Sequence, residues 1–339
     1  NKRNKNLHIL GSNFSCHRED IFAVVEGYIR DASKNLSDKT VMDDVFYQMT
    51  YDEALENYGS DKPDLRFGMK FVDLTDIFVH SEFSVFKSVC ETGGVIKAIK
   101  LEWQSMSRKD IDDLTEVARK EGARGLAYII YDDKEEGGKK SPILKFMAES
   151  EIAALEERLQ PKNGDIVFFS ADEFKKAIGI LNKVRLALRD KFNLADPKKL
   201  ALCWIIDFPM FEQDEVTGKI DFAHNPFSMP IGGLEAFNTD DLLSMKANQY
   251  DLACNGYEIL SGSLRNYDIE VLVKAFETVG RNREEVMTKF GAMYEAFQYG
   301  VPPHGWFAIG MDRFMMILTD EPNVREVFAF PKAGKAQDL

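Results

Sequence analysis

The chain has 339 residues and 45% hydrophobic side chains, enough for two domains, or for one domain carrying a large insertion. A net charge of −13 excludes a protein held to nucleic acid by a generally basic surface, although a local patch remains open. No apolar run reaches the ~20 residues of a membrane span. The four cysteines, Cys16, Cys90, Cys203 and Cys254, show no CxxC and no zinc spacing, so they read as idle or buried thiols in a reducing compartment.

In chain order, the first clear element is a helix. His17-Arg-Glu-Asp precedes Ile21, Phe22, Val24, Val25, Tyr28 and Ile29 at helical spacing. Tyr58-Gly-Ser-Asp-Lys-Pro-Asp-Leu-Arg66 is dense in turn formers and reads as a boundary loop. Ser107 and Asp110 then cap a helix carrying Ile111, Leu114, Val117 and Ala118, with Gly122 as its stop. Leu126–Tyr131 and Ile166–Phe169 read as strands, and Ile152–Leu159 and Phe174–Leu188 as helices. This interleaving predicts a self-contained α+β domain.

From Lys199 the pattern changes. Leu200–Ile206 is an apolar strand. Asp268 caps a helix that Gly280 stops, and a single helix is predicted from Glu284 to Tyr299. Pro302-Pro303 forces a non-helical link into the strand Trp306–Ile309. Gly310 breaks that strand, and Met311-Asp-Arg313 opens an apolar helix. A cation in a first helical turn opposes the helix dipole, so Arg313 is easiest to explain if an anion shares the site.

Four polar clusters lie in this last part, each with two readings. Ala223-His-Asn-Pro-Phe227 is a loop whose His224 is either a core or turn histidine or part of a site. In Tyr250-Asp-Leu-Ala-Cys-Asn-Gly-Tyr-Glu258, alternation places Asp251, Ala253 and Asn255 on one strand face. That face either meets solvent or binds something, because buried polar groups are costly alone. Ser261-Gly-Ser-Leu-Arg265 reads as a hairpin turn with an exposed arginine or as part of a site. Gly310–Arg313 is an ordinary strand–helix junction or a phosphate site.

Taken together and in order, these segments resemble bacterial aspartyl-tRNA synthetases, a class II family. Gly310-Met-Asp-Arg313 looks like class II motif 3. Ala-His-Asn-Pro-Phe, Asn-Gly-Tyr-Glu, Ser-Gly-Ser-Leu-Arg, Pro-Pro-His-Gly and Ala329-Phe-Pro-Lys332 match segments of that family, and Tyr58–Phe67 is similar to its signature before an inserted GAD domain. The resemblance covers roughly residues 17–339. It implies an α+β fold: an antiparallel-sheet catalytic core, partial over 1–66, interrupted by a GAD-like domain over 67–198 and resuming over 199–339 with motif 3.

The resemblance further implies ATP-dependent activation of L-aspartate and its transfer to tRNA, in the cytoplasm, with ATP and Mg²⁺. Arg313 would hold the γ-phosphate of ATP, with Gly310, Met311 and Asp312 at the adenine and ribose end. Glu258 would contact ATP and metal, with Asp251 a second metal carboxylate, since two carboxylates approach a polyphosphate only with a divalent cation between them. Arg265 would pair with the aspartate side chain and His224 would close over the amino acid. Arg313, Glu258 and Arg265 would be the catalytic set.

Many relatives have two adjacent histidines where this chain has His224-Asn225. The family also places an anticodon-binding barrel, motif 1 with its dimer interface, and motif 2 ahead of residue 17, and residues 1–16 do not resemble the expected segment. The chain therefore looks like the C-terminal half to two-thirds of such an enzyme, homodimeric when whole, and is expected to be inactive alone. The alternatives are a non-discriminating enzyme charging tRNA(Asp) and tRNA(Asn), a non-catalytic GAD-containing tRNA-binding paralogue, and an ammonia-dependent asparagine synthetase. The GAD-like segment counts against the last.

Overall fold

The computed structural model describes residues 8–14, 17–328 and 330, with backbone only for 8–14. Cys16, the residues before His8, Ala329 and the Pro331-Lys332 pair lie outside the described residues. No described helix is long and apolar enough to cross a membrane. The structure divides into two compact units. One gathers the described residues up to Asp52, Lys62–Leu65 and those from Pro197 onward. The other holds Glu53–Asp61 and Arg66–Asp196.

The first unit is built on a six-stranded sheet. Its strands are β1 (His8–Phe14), β2 (Tyr47–Thr50), β3 (Leu202–Pro209), β4 (Lys246–Cys254), β5 (Tyr257–Leu264) and β6 (His304–Gly310), in the order β1-β6-β5-β4-β3-β2. Every pairing is antiparallel except β2 with β3, which is parallel. Helix α1 (Arg18–Leu36) begins where Asp20 accepts from the His17 backbone N–H at 2.8 Å. Its Ile21, Phe22, Val25 and Ile29 are buried against one sheet face. Phe22 stacks on Trp204 at 3.9 Å between centroids, and the Trp204 Nε1–H donates to Glu26 at 3.0 Å. Helix α2 (Ile269–Thr278) starts at the Asp268 cap, and helix α3 (Met311–Leu318) follows β6 directly.

The single helix expected over Glu284–Tyr299 is two, Arg283–Lys289 and Gly291–Phe297. Phe290 between them leaves helical geometry (φ −122°, ψ 29°). Its ring packs on Phe227 at 5.3 Å and Phe276 at 5.4 Å. That aromatic packing, with a glycine next in the chain, outweighs helix continuity.

The second unit has a five-stranded antiparallel sheet, in the order Val72–Asp73, Val95–Leu101, Ile166–Asp172, Ala127–Tyr131, Lys139–Lys140. Helices Arg108–Lys120 and Phe174–Phe192 cover one face through Leu114, Ile178, Leu181 and Val184. A second core of Leu74, Phe78, Phe86 and Leu155 lies on the other face. The Val95–Leu101 strand escapes sequence patterning because Lys97 interrupts it. Lys97 is buried and tied to Glu56 and, at 3.2 Å, to Asp73.

The Ser107 cap carries a pH prediction. Lys191 and the Ser107 backbone N–H together hold the Asp110 carboxyl down at about 2, against 3.8 for an ordinary aspartate. A depressed folded value means this stabilisation is complete above the unfolded value and is lost as pH falls through the folded one. Between pH ~4 and ~2 the melting temperature of Asp110→Asn should therefore fall less steeply than that of the unvaried chain. Thermal melts across that window check it.

Candidate functional site

The site is organised by the polar face of the first sheet. Asn255 and Gly256 connect β4 to β5, both with positive φ (53° and 92°), as a two-residue hairpin turn of the type that matches strand twist requires. The expectation that the Asn255 amide faces the site is corrected. Its Oδ1 accepts from the Ala201 N–H and its Nδ2 donates to the Lys199 carbonyl, both at 2.9 Å. Asn255 fastens the turn to the chain entering β3.

A β-bulge decides where Glu258 points. Leu252 pairs with Leu260 but Ala253 pairs with Glu258, so Ile259 is the extra residue. Ile259 and Leu260 both enter the core beneath α1. Glu258 is thereby returned to the face that holds Gln249, Asp251 and Ala253 on β4, Ser261 and Ser263 on β5, and Trp306 and Ala308 on β6. Without the bulge, strict alternation would send Glu258 to the opposite face.

At one end of this face, β6 ends at Gly310 and α3 opens. Arg313 donates from Nη1 to the Glu258 carbonyl at 2.9 Å and lies 3.5 Å from Glu258 Oε1, with half of its side chain still exposed. Gly310, Asp312, Arg313, Glu258, Ser261, Ala308 and Val324 line a cavity of about 270 Å³. Asp312 Oδ2 is buried there without a hydrogen-bond partner. Met311 turns the other way, onto the core, where its sulfur meets Tyr28 Oη at 3.6 Å. Asp251 is buried opposite Ser261 on the same face but does not line the cavity. No group of three or more His, Cys, Asp or Glu side chains among the described residues could hold a metal by itself.

Arg265 and His224 lie toward the other end of β5. Ser261–Leu264 is strand rather than the hairpin turn that composition allowed, so Arg265 is half-buried instead of exposed. Arg265 comes seven positions after Glu258, roughly 20 Å of extended chain. Beyond the Gln249–Ser263 pair the β4–β5 ladder splays, and the loop after Ala223 wedges in. Met229 N–H donates to Leu264, Asn248 N–H donates to Met229, and Ser228 bridges Arg265. The Arg265 guanidinium sits 5.1 Å from the Phe227 ring. Burial pulls its pKa below the ordinary arginine value, and no carboxylate among the described residues offsets that. Exposed His224 meets the edges of Phe208 at 5.1 Å and Tyr51 at 6.0 Å. Its neighbour Asn225 accepts the Phe227 N–H at 2.9 Å, a local turn that a second histidine could not make in the same way.

Sequence reasoning missed Gln249 and Ser263. Extending the period-two alternation from Asp251 by one step reaches Gln249. Ser263 is fully buried and accepts the Trp306 Nε1–H at 3.0 Å, a contact that no local pattern announces.

Residues 13–334 match the family profile described as tRNA synthetases class II (D, K and N). The aspartate–tRNA(Asp/Asn) ligase of Chlorobium luteolum is 46% identical over 95% of this chain and 53% of its own length. Its namesakes in Beijerinckia indica and Rickettsia prowazekii are 45% and 42% identical over 95% of this chain and 55% and 54% of theirs. The chain thus spans about half the length of the curated relatives it matches. Among solved structures, the asparaginyl-tRNA synthetase of Entamoeba histolytica superposes with a TM-score of 0.41 at 14% identity, covering 98% of this chain and 48% of that one. With a profile match running nearly end to end, the chain belongs to the class II tRNA synthetases of the aspartate, lysine and asparagine group.

Proposed function

We propose that this chain carries the aspartate-activating site of an aspartate–tRNA ligase, with ATP, L-aspartate and tRNA as substrates. The carrying observation is the division of labour along β5: an exposed arginine and an acidic cluster at one end, a half-buried arginine without a carboxylate at the other. The relatives' name, aspartate–tRNA(Asp/Asn) ligase, favours the non-discriminating form, which charges both tRNAs. The second unit is read as a GAD-like insertion, a reading supported by its separate sheet and cores. The whole enzyme is read as a homodimer.

In the first step an α-carboxylate oxygen of aspartate attacks the α-phosphorus of ATP. The new O–P bond forms as the bond to the bridging oxygen breaks and pyrophosphate leaves. A terminal ribose hydroxyl of tRNA then attacks the acyl carbon and AMP departs. Little covalent work falls to the protein, which aligns carboxylate and phosphorus and compensates charge. Arg313, with Nη1 held by the Glu258 carbonyl, presents its remaining guanidinium N–H groups to the γ-phosphate. Gly310, Met311 and Asp312 shape the nucleotide end, the buried Asp312 Oδ2 being an acceptor that a nucleotide hydroxyl would satisfy. Arg265 holds the aspartate side chain and His224 closes over it.

Glu258 and Asp251 share one sheet face and supply two carboxylates rather than a full cage, which suits a Mg²⁺ ion completed by phosphate oxygens. When bound, that ion neutralises phosphate charge.

Calorimetric titration tests the reading. The chain should bind a non-hydrolysable aspartyl-adenylate analogue. Arg313→Ala should weaken ATP about tenfold or more while sparing the analogue, which has no γ-phosphate. No binding of the analogue, or equal weakening of both ligands, would count against the assignment.

A further inference from the structure

Gln249 lies on the same polar face as Asp251 and Ser263. It is 7% exposed, and its side-chain amide has no hydrogen-bond partner among the described residues. The amide atoms are not sealed off from solvent, so a ligand can reach them. The position of the amide names the partner. Gln249 is the last residue of β4 paired to β5 before the ladder splays, directly opposite Ser263. Ser263 precedes Arg265 by two residues of extended chain, so alternation puts Gln249, Ser263 and Arg265 on one face.

The hydroxyl beside Gln249 is already engaged, because Ser263 Oγ accepts the Trp306 indole N–H. Two buried polar atoms next to Arg265 in the fold or the chain lack partners, Ser228 Oγ and Asn266 Nδ2. Ser228, paired with Arg265 across the bridge, thus leaves a buried hydroxyl unsatisfied beside a guanidinium that itself lacks a carboxylate. A ligand that satisfies this set must be small, anionic at one end, and rich in acceptor lone pairs. A carboxylate fits: it has about four lone-pair sites, and a bidentate guanidinium leaves others open.

We propose that Gln249 is a further binding residue, donating an amide N–H to the carboxylate that Arg265 holds. The inference rests on the aspartate-site reading of Arg265. Gln249 would fix the orientation of the carboxylate plane, and so the direction in which the α-carboxylate at the other end of the amino acid faces the phosphorus. Arg265 alone fixes charge but leaves rotation about its own axis less constrained.

The test is calorimetric titration of Gln249→Ala and Gln249→Glu with the aspartyl-adenylate analogue and, separately, with ATP. Gln249→Ala should weaken the analogue about tenfold and leave ATP unchanged. Gln249→Glu should weaken it further, because a second carboxylate then faces the ligand's own. Its deficit should shrink as pH is lowered toward the carboxylate range. Equal weakening of both ligands would mark a merely structural role and overturn the proposal, as would analogue binding equal to that of the unvaried chain. Arg265→Ala run alongside separates the two claims. If Arg265→Ala removes binding and Gln249→Ala does not, only the Gln249 role fails. If Arg265→Ala changes nothing, the aspartate-site reading fails first, and with it the Gln249 role.

Discussion

Replacing Arg265 with alanine is expected to abolish measurable binding of an aspartyl-adenylate analogue while leaving ATP affinity within about twofold. The guanidinium is half-buried, leans on Phe227 at 5.1 Å, and is desolvated with no carboxylate beside it in the described structure. A charge already stripped of part of its water binds an incoming carboxylate without a further large desolvation cost. Truncating one partner of such a charge pair costs about 2–5 kcal/mol, a factor of roughly 30 to several thousand. Arg265→Lys should recover little, because an ammonium cannot reproduce the planar two-pronged fork or the stacking on Phe227. ATP should be spared, because the nucleotide end lies roughly 20 Å along β5. Isothermal titration of both variants with both ligands decides it. Retention of analogue affinity in Arg265→Ala would remove the aspartate site from this residue.

The reach of sequence reasoning differs between the two ends of β5 for a physical reason. Gly310–Arg313 is legible because its logic is local: an apolar strand, a glycine, and a cation where the helix dipole disfavours one. Helix caps such as Ser107–Asp110 and Asp268 are legible for the same reason, each being contained in three or four residues. Glu258 illustrates what is not legible. Its side depends on a one-residue bulge, and a bulge is a property of two paired strands rather than of one. Asn255 misleads because alternation is extended one residue past the strand, into a turn that uses the amide for itself. Arg265 looked like a turn arginine because Ser-Gly-Ser suggests a loop. Pairing with both β4 and β6 keeps that segment extended. Gln249 and Ser263 become significant only once the ladder shows what they face.

Gly262→Ala should be the most damaging single methyl in the sheet, lowering stability by about 3 kcal/mol, at the upper end of ordinary overpacking. A Cβ built on Gly262 would lie 2.4 Å from the Trp306 carbonyl oxygen and 2.4 Å from the Tyr250 ring, with Phe307 Cα at 3.1 Å. Neither neighbour can give way cheaply. The carbonyl belongs to the adjacent strand, so moving it means parting β5 from β6. Tyr250 is fully buried, donates its hydroxyl to that same carbonyl at 3.0 Å, and meets Phe22 edge-on at 5.2 Å. The strain is steric and not conformational, because Gly262 does not use the left-handed region. The site should register the change as well, since Ser261 and Ser263 on either side of Gly262 belong to its polar floor. Displacing the strand by a few tenths of an ångström should therefore weaken the aspartyl-adenylate analogue along with the fold. Gly27→Ala is the matched comparison: it adds the same methyl in mid-α1, where nothing lies within 4 Å, and should stabilise by about 0.5–1 kcal/mol. Urea denaturation of the two variants, read as midpoint shifts at constant slope, measures both. A Gly262→Ala chain that unfolds within ~0.5 kcal/mol of the unvaried one would mean that β5 and β6 are not packed closely enough to exclude a methyl.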